Sequence, residues 1–252
     1  MMRHAVATPD AVTPRTVCLT VDAEPDCPPY LWTWRGIEEG MPRLMDLLAS
    51  EGVPATVFAT GETALHFPQT VRRIVDEAHE LGNHGWSHRA FTELPHDDAE
   101  AEIRKTSALL RTFAPVTAFR APYLDMPAHY LALLEADGYH VDCSAGRYKP
   151  NAWGPAPLTS LSRLSAAITP SWLRLPAWIR DPVLRRLPSP VVLFVHPWEF
   201  VDLRRASIPW DCRAGTGERA LASLRQVIRL YKADGARFLR VREAVPARDT
   251  IA

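Results

Sequence analysis

The sequence has no surplus of charge: 29 Lys and Arg stand against 29 Asp and Glu in 252 residues. Such a chain has no electrostatic reason to capture nucleic acid or an anionic membrane, and a neutral or mixed-charge partner is expected. Cysteine is scarce. Cys18, Cys27, Cys143 and Cys212 are widely spaced and form no CxxC pair, which argues against a zinc ribbon and against a disulfide framework. Reduced thiols are expected, with Cys18 and Cys143 as small core residues because they lie in apolar, strand-like runs. Long apolar runs are missing too. None approaches the roughly 20 residues of a membrane span, and the opening MMRHAVATPDAVTPRT has no apolar segment like that of a secretory signal. The expected location is the cytoplasm. No internal repeat or low-complexity tract stands out.

What the chain does have is core-forming material. At 47% hydrophobic composition it can bury one substantial core, so 1–252 is expected to form a single domain behind a flexible, Pro-containing arm at 1–15. Residues 16–22 (TVCLTVD) have the pattern of a short buried strand that ends in charge. Pro42 then opens a periodic run through Leu44, Leu47 and Leu48 that closes at Gly52, a helix with Pro in its first turn and Gly past its end. Segment 55–59 is rich in β-formers, and Val71, Ile74, Val75 and Ala78 repeat at helical spacing toward Gly82. Further helices are expected at 97–111, 128–137 and 218–233. Strands are expected at 117–120, 141–144, 191–195 and 237–239. Repeated strand-helix units with nearly continuous apolar strands imply a parallel sheet covered by helices, and about seven strands imply a closed or nearly closed barrel.

One stretch departs from this rhythm. Residues 149–190 hold eight of the 23 prolines and three of the eight tryptophans, Trp153, Trp172 and Trp178. Apolar anchors such as Leu161, Leu164 and Leu187 distinguish it from a flexible linker. It is expected to be an ordered insertion, either a lid over the substrate or an oligomer contact.

Polar groups collect where barrels carry out chemistry, at the C-terminal ends of strands. His84 and His88 in HGWSH are four residues apart, and one helical turn or a tight loop could aim both imidazoles at one divalent ion. Nine histidines make some such pair expected by chance. The acidic group Asp22, Glu24 and Asp26 raises the interest of this one, because a carboxylate beside two imidazoles leaves positions open for water and a substrate carbonyl. The plain alternative for DAEPD is a solvated turn that caps the strand. Arg120 in FRAPY could pair with a carboxylate, Asp142 closes another strand, and His196 follows VVLFV as a candidate general acid. His66, His79, His96, His129 and His140 are read as surface or helix residues. Trp32, Trp34, Trp86 and Trp198 offer flat faces for sugar rings or serve as packing, and Glu199 either binds substrate or braces its loop.

In order and spacing, these motifs resemble the NodB-like polysaccharide deacetylases, carbohydrate esterase family 4. TVDAE resembles that family's acidic first strand, and MPRLMDLLASEGVPATVFATGE its following helix and strand. HELGNHGWSH, preceded by the family-like PQTVRRIVDEA, resembles its histidine motif, FRAPY its Arg-x-Pro-Tyr motif, VDCS its fourth motif and LFVHPWE its last. The resemblance implies a distorted (β/α)7 barrel of the NodB-homology type with a divalent metal, most often zinc. By position it implies His84 and His88 as metal ligands, Asp22 as general base, His196 as general acid, Arg120 to orient or tune the base and Asp142 to steady His196. It also implies the Tyr123 N–H as part of an oxyanion hole, with Leu193, Val195 and Trp198 beside the substrate. One departure matters. Where the common pattern has a second aspartate, residue 23 is Ala, and Glu24, on the same face of an extended chain as Asp22, becomes the expected third ligand, with Asp26 the lesser candidate. Asp-x-Glu with a late His-Pro-Trp-Glu resembles an exopolysaccharide-associated subgroup.

The implied activity is removal of an N-acyl group, chiefly N-acetyl, from an amino sugar or a precursor containing one, by a possible homo-oligomer. The alternatives are a deformylase, a metal-independent amidase on the same barrel, and a non-catalytic carbohydrate-binding relative. The last is disfavoured because nearly all the polar strand-end residues are present.

Overall fold

A computed structural model describes residues 14–149 and 158–246. Seven parallel strands close into a ring: β1 (Thr16–Ala23), β2 (Ala55–Ala59), β3 (Glu80–Asn83), β4 (Ala118–Phe119), β5 (Val141–Gly146), β6 (Ser162–Ala166) and β7 (Val191–Val195). β1 pairs with both β2 and β7, which closes the barrel. The ring is uneven. β3 meets β4 through the single pair Asn83 and Phe119, and β6 meets β7 only through Ala166 and Val192, so the expected distorted (β/α)7 barrel is the fold. A two-residue strand, β8 (Arg237–Phe238), pairs only with the start of β1.

Alternation along the strands sorts the side chains into two environments. On β1, Val17, Leu19, Val21 and Ala23 belong to the core between barrel and helices, whereas Cys18 turns into the barrel. Inside, Cys18 joins Phe58, Ala118, Val141, Cys143, Leu164 and Val192, with Val241 beneath them, in an apolar floor. Above that floor lie Thr20 and Arg120 and then the charged groups, so polarity rises along the barrel axis toward the strand C-termini. Both strand faces are buried, which is why the strands read as nearly unbroken apolar runs.

The outer layer is built from α1 (Met41–Glu51), α2 (Gly61–His66), α3 (Pro68–Asp76), α4 (His96–Leu110), α5 (Leu131–Ala136), α6 (Pro170–Leu173), α7 (Ala177–Arg186), α8 (Trp210–Arg213) and α9 (Glu218–Ala233). α1 has Pro42 in its first turn and ends at Gly52 in the left-handed region, φ 58, as its sequence implies. The periodic run 71–78 stops earlier than its spacing suggests. Ala78 reverses the chain at φ 60, and Gly82 lies within β3, where a Cβ would stand 2.5 Å from the Phe58 ring.

Two expectations are corrected by the topology. The described part of 149–190 is no lid: 158–190 supplies barrel strand β6 and helices α6 and α7, while Trp153 and the rest of 150–157 lie outside the described residues. β6 hides in the sequence because only Leu164 and Ala166 of SRLSA turn inward to buried positions. Conversely, 237–239 is a short edge and not a barrel stave. Most of the expected arm at 1–15 also lies outside the described residues, but Arg15 is anchored, with Nη1 donating to the Arg185 carbonyl at 2.7 Å.

Candidate catalytic site

Period-two alternation carries Asp22, the penultimate residue of β1, and Glu24, just past its end, to the same side of the chain, where both are buried. Their environments differ. Asp22 Oδ1 accepts from Arg120 Nη1 at 2.6 Å, and the same nitrogen donates to Thr20 Oγ1 at 2.8 Å. Arg120 is fully buried with Cζ over Phe58, 4.3 Å from the ring centroid, so Asp22 is held in one orientation from below.

His84 and His88 lie in the loop after β3, which Gly85 at φ 74 and His88 at φ 57 turn through the left-handed region. The loop is braced from behind. Asn83 Oδ1 accepts from the Gly85 N–H at 2.7 Å, and Glu102 of α4 accepts from the N–H groups of Trp86 and Ser87 at 2.6 and 3.0 Å and from the Ser87 hydroxyl at 2.6 Å. A braced loop, not a helical turn, aims the two imidazoles. Glu24 Oε2 stands 2.7 Å from His88 Nε2 and 3.2 Å from His84 Nε2.

Three buried donor atoms of Glu24, His84 and His88 lie within 4.8 Å of one another, the one such trio among the described residues. The His84 tautomer tests whether a metal suits it. His84 Nδ1 is 2.7 Å from the Arg120 carbonyl oxygen, which can only accept, so Nδ1 carries a proton. His84 Nε2 then faces a carboxylate, an arrangement that needs either a second proton or a cation between them. The donor set fits a divalent ion such as zinc, with the Arg120 carbonyl orienting the imidazole. Burial by itself raises the Glu24 carboxyl, but the charges of His88 and His196 and the hydrogen bonds from His84 and His88 hold it well below the usual carboxylate range.

His196, the first residue after β7, completes the ring of polar groups. Its Nε2 lies 4.0 Å from Asp22 Oδ2 and 3.8 Å from Glu24 Oε1. Burial lowers its pKa, but Glu24, Glu199 and Asp22 together outweigh burial and raise it to about 9. Glu199 Oε1 meets His196 Nδ1 at 3.0 Å and accepts from the His196 backbone N–H at 2.9 Å, while Glu199 Oε2 accepts from Arg174 Nη1 at 2.7 Å. The role expected of Asp142 therefore falls to Glu199. Asp142 is adjacent in β5 to inward-facing Val141 and Cys143, so it turns to the other face of the sheet and pairs with Arg163 at 2.9 Å. Glu199 was legible only as part of HPWE, because its reach depends on the 3₁₀ turn Pro197–Phe200 that folds it back onto His196.

Asp26, the lesser ligand candidate, is committed elsewhere. Its carboxylate accepts from the Thr33 hydroxyl at 2.5 Å and from the N–H groups of Arg35 and Gly36 at 2.9 and 2.7 Å, tying off the loop before α1. Leu193 and Val195 are also corrected. They point outward into the core beneath the helices, and the residue between them, Phe194, lines the cavity together with Leu124. That cavity has Asp22, Glu24, His84, His88 and His196 in its wall, with Tyr30, Tyr123, Tyr148 and Trp198 as its aromatic lining.

Tyr123 sits at φ 59, and its N–H makes no hydrogen bond among the described residues. Trp198 stacks on His196, centroids 4.9 Å apart, and points Nε1 at Glu24 Oε1 at 3.4 Å. Trp34 packs on Phe67, Trp86 lies under Lys105, and Trp32 is exposed away from the cavity wall. His79 is no surface residue: it is buried, and its Nδ1 accepts from the Ala55 N–H at 3.0 Å.

Residues 10–141 match the sequence profile of the polysaccharide deacetylases. The chain belongs to the polysaccharide deacetylase family. A peptidoglycan-N-acetylglucosamine deacetylase of Bacillus cereus is 35% identical to this deacetylase-family chain over 109 residues, 42% of this chain and 36% of that protein. A chitooligosaccharide deacetylase of Sinorhizobium fredii is 35% identical over 85 residues, 32% of this chain and 40% of that protein. The chain thus spans about two-fifths of the length of these curated relatives. Among solved structures, a peptidoglycan N-acetylglucosamine deacetylase in complex with 4-naphthalen-1-yl-N-oxidanyl-benzamide superposes with a TM-score of 0.62 at 24% identity, covering 91% of this chain and 87% of that one. A family 4 carbohydrate esterase pseudoenzyme from Bacillus anthracis superposes with a TM-score of 0.63 at 16% identity, covering 92% and 65%. Those superpositions establish the shared barrel. Since that barrel also occurs in a pseudoenzyme, activity has to be argued from the side chains.

Proposed function

We propose that this member of the polysaccharide deacetylase family hydrolyses the N-acetyl amide of an amino sugar within a glycan or glycan precursor. The observation that carries the reading is the meeting, in one cavity, of a buried carboxylate-imidazole-imidazole trio with a second carboxylate anchored by Arg120 and a third imidazole backed by Glu199. A divalent ion held by Glu24, His84 and His88 would polarise the amide carbonyl and acidify water. Asp22, fixed by Arg120 and Thr20, takes the proton from the attacking water. The Tyr123 N–H donates to the oxygen of the tetrahedral species, where negative charge grows. His196, whose imidazolium form is supported by Glu199 at Nδ1 and by nearby Asp22, delivers a proton to the departing nitrogen, so the amine leaves and acetate remains. Glu199 holds the imidazole through Nδ1, leaving Nε2 to face the reacting atoms. Phe194 and Leu124 give the acyl methyl an apolar wall, and the surrounding tyrosines and Trp198 offer flat surfaces to pyranose rings.

The test is amine release from N-acetylated and N-formylated chito-oligosaccharides, with metal content measured on wild type and Glu24→Ala. Bound metal that is lost in the variant together with amine release is the expected result. Undiminished turnover in a metal-free protein would overturn the ligand assignment and leave a metal-independent amidase.

A further inference from the structure

Two thiols far apart in sequence meet in the wall of the catalytic cavity. Cys27, in the turn after β1, is buried in an apolar cluster with Trp198, Val201, Leu203 and Ile208, and Cys212 of α8 packs against that cluster. Both residues line the cavity and adjoin the same apolar cluster, and no step of the proposed hydrolysis uses them. Cys27 is held at φ 43, a conformation glycine adopts more readily than a residue with a side chain. The other two thiols differ. Cys18 and Cys143 lie in the barrel floor with no exposed surface.

We infer that Cys27 and Cys212 form a redox-active pair that closes as a disulfide in the cavity wall, tying the loop after β1 to the segment after β7. Cys212 is the more accessible of the two residues, whereas Cys27 is buried. Cys212 is therefore the attacking thiolate. It attacks one sulfur of a low-molecular-weight disulfide, forming a mixed disulfide and releasing one thiolate. Cys27 then gives its proton to solvent and its sulfur attacks Cys212, forming the internal bond and releasing the second thiolate. Two protein thiols are oxidised and one external disulfide is reduced to two thiols. The inference stands independently of the hydrolase reading, since no sulfur step involves the metal trio, Asp22 or His196.

The experiment exposes the full-length folded protein to oxidised glutathione, quenches with acid, alkylates the remaining thiols, and reads intact mass and linked peptides. The expected product has lost two hydrogen atoms, contains one cross-linked peptide pair joining Cys27 to Cys212, reverts with reduced glutathione, and leaves Cys18 and Cys143 to be alkylated only after denaturation. Cys27→Ser should instead retain a glutathione adduct on Cys212 that does not resolve, and Cys212→Ser should form no internal bond. Four free thiols in oxidised wild type, a bond between any other pair, or a Cys27→Ser protein that still closes an internal bond would overturn the pair.

Discussion

Asp22 and Glu24 stand in different environments because β1 presents both to one side while only Asp22 meets Arg120. Asp22→Asn should lose turnover by at least about 10²-fold while keeping its metal, as checked by steady-state amine release beside elemental analysis. Loss of metal in that variant would show that Asp22 is a ligand. Glu199 makes a different prediction. It holds His196 through Nδ1 and raises the pKa of the imidazole, so Glu199→Gln lowers that pKa and shrinks the protonated fraction at a given alkaline pH. The alkaline limb of the kcat profile should move to lower pH, and an unmoved limb would detach Glu199 from the acid. At this scale the sequence was readable where period two applied. The same rule, carried back two residues from His196, selects Phe194 as cavity lining in place of Leu193 and Val195, since 194 and 196 share a face.

Elements position the site through contacts across the barrel. α4 offers Glu102 to the loop between the two histidines, and β3 offers Asn83, whose Nδ2 is held by the Tyr139 hydroxyl at 2.6 Å. Glu102→Ala removes three hydrogen bonds from that loop and should weaken metal binding by about 10–100-fold, read by competition with a chromophoric chelator. A change confined to stability, with affinity untouched, would mean that the histidines are placed without α4. On β3, Gly82→Ala forces a methyl group against Phe58, the ring on which Arg120 rests. That crowding should cost about 1–3 kcal/mol in denaturant unfolding and lower turnover as well. Helices with clear periodicity and punctuation, such as α1 and α9, were legible in advance. β6 was not, because a strand with only two inward residues carries too little apolar signal to stand out in a proline-rich stretch.

Across the whole molecule, the barrel is closed below by an apolar layer and a buried Thr56–Glu80 hydrogen bond, and is open above to the charged cavity. Val241, fully buried under the barrel, belongs to that floor, and its N–H donates to Thr56 Oγ1 at 3.0 Å. Val241→Ala should lower stability by roughly 1–3 kcal/mol with metal content and kcat unchanged, measured by thermal unfolding beside activity. A parallel loss of activity would mean that floor and cavity are coupled. The barrel class, the order of its motifs and the three residues of the buried Glu24, His84 and His88 trio followed from sequence, because alternation and strand-end placement are local consequences of chain geometry. Tertiary structure alone decided that Glu199 and not Asp142 backs His196, that Asp26 ties a loop, and that Cys27 and Cys212 line one cavity. Each of those depends on which turn folds back on which strand, and no spacing along one chain encodes the distance between residues brought together by closing a barrel.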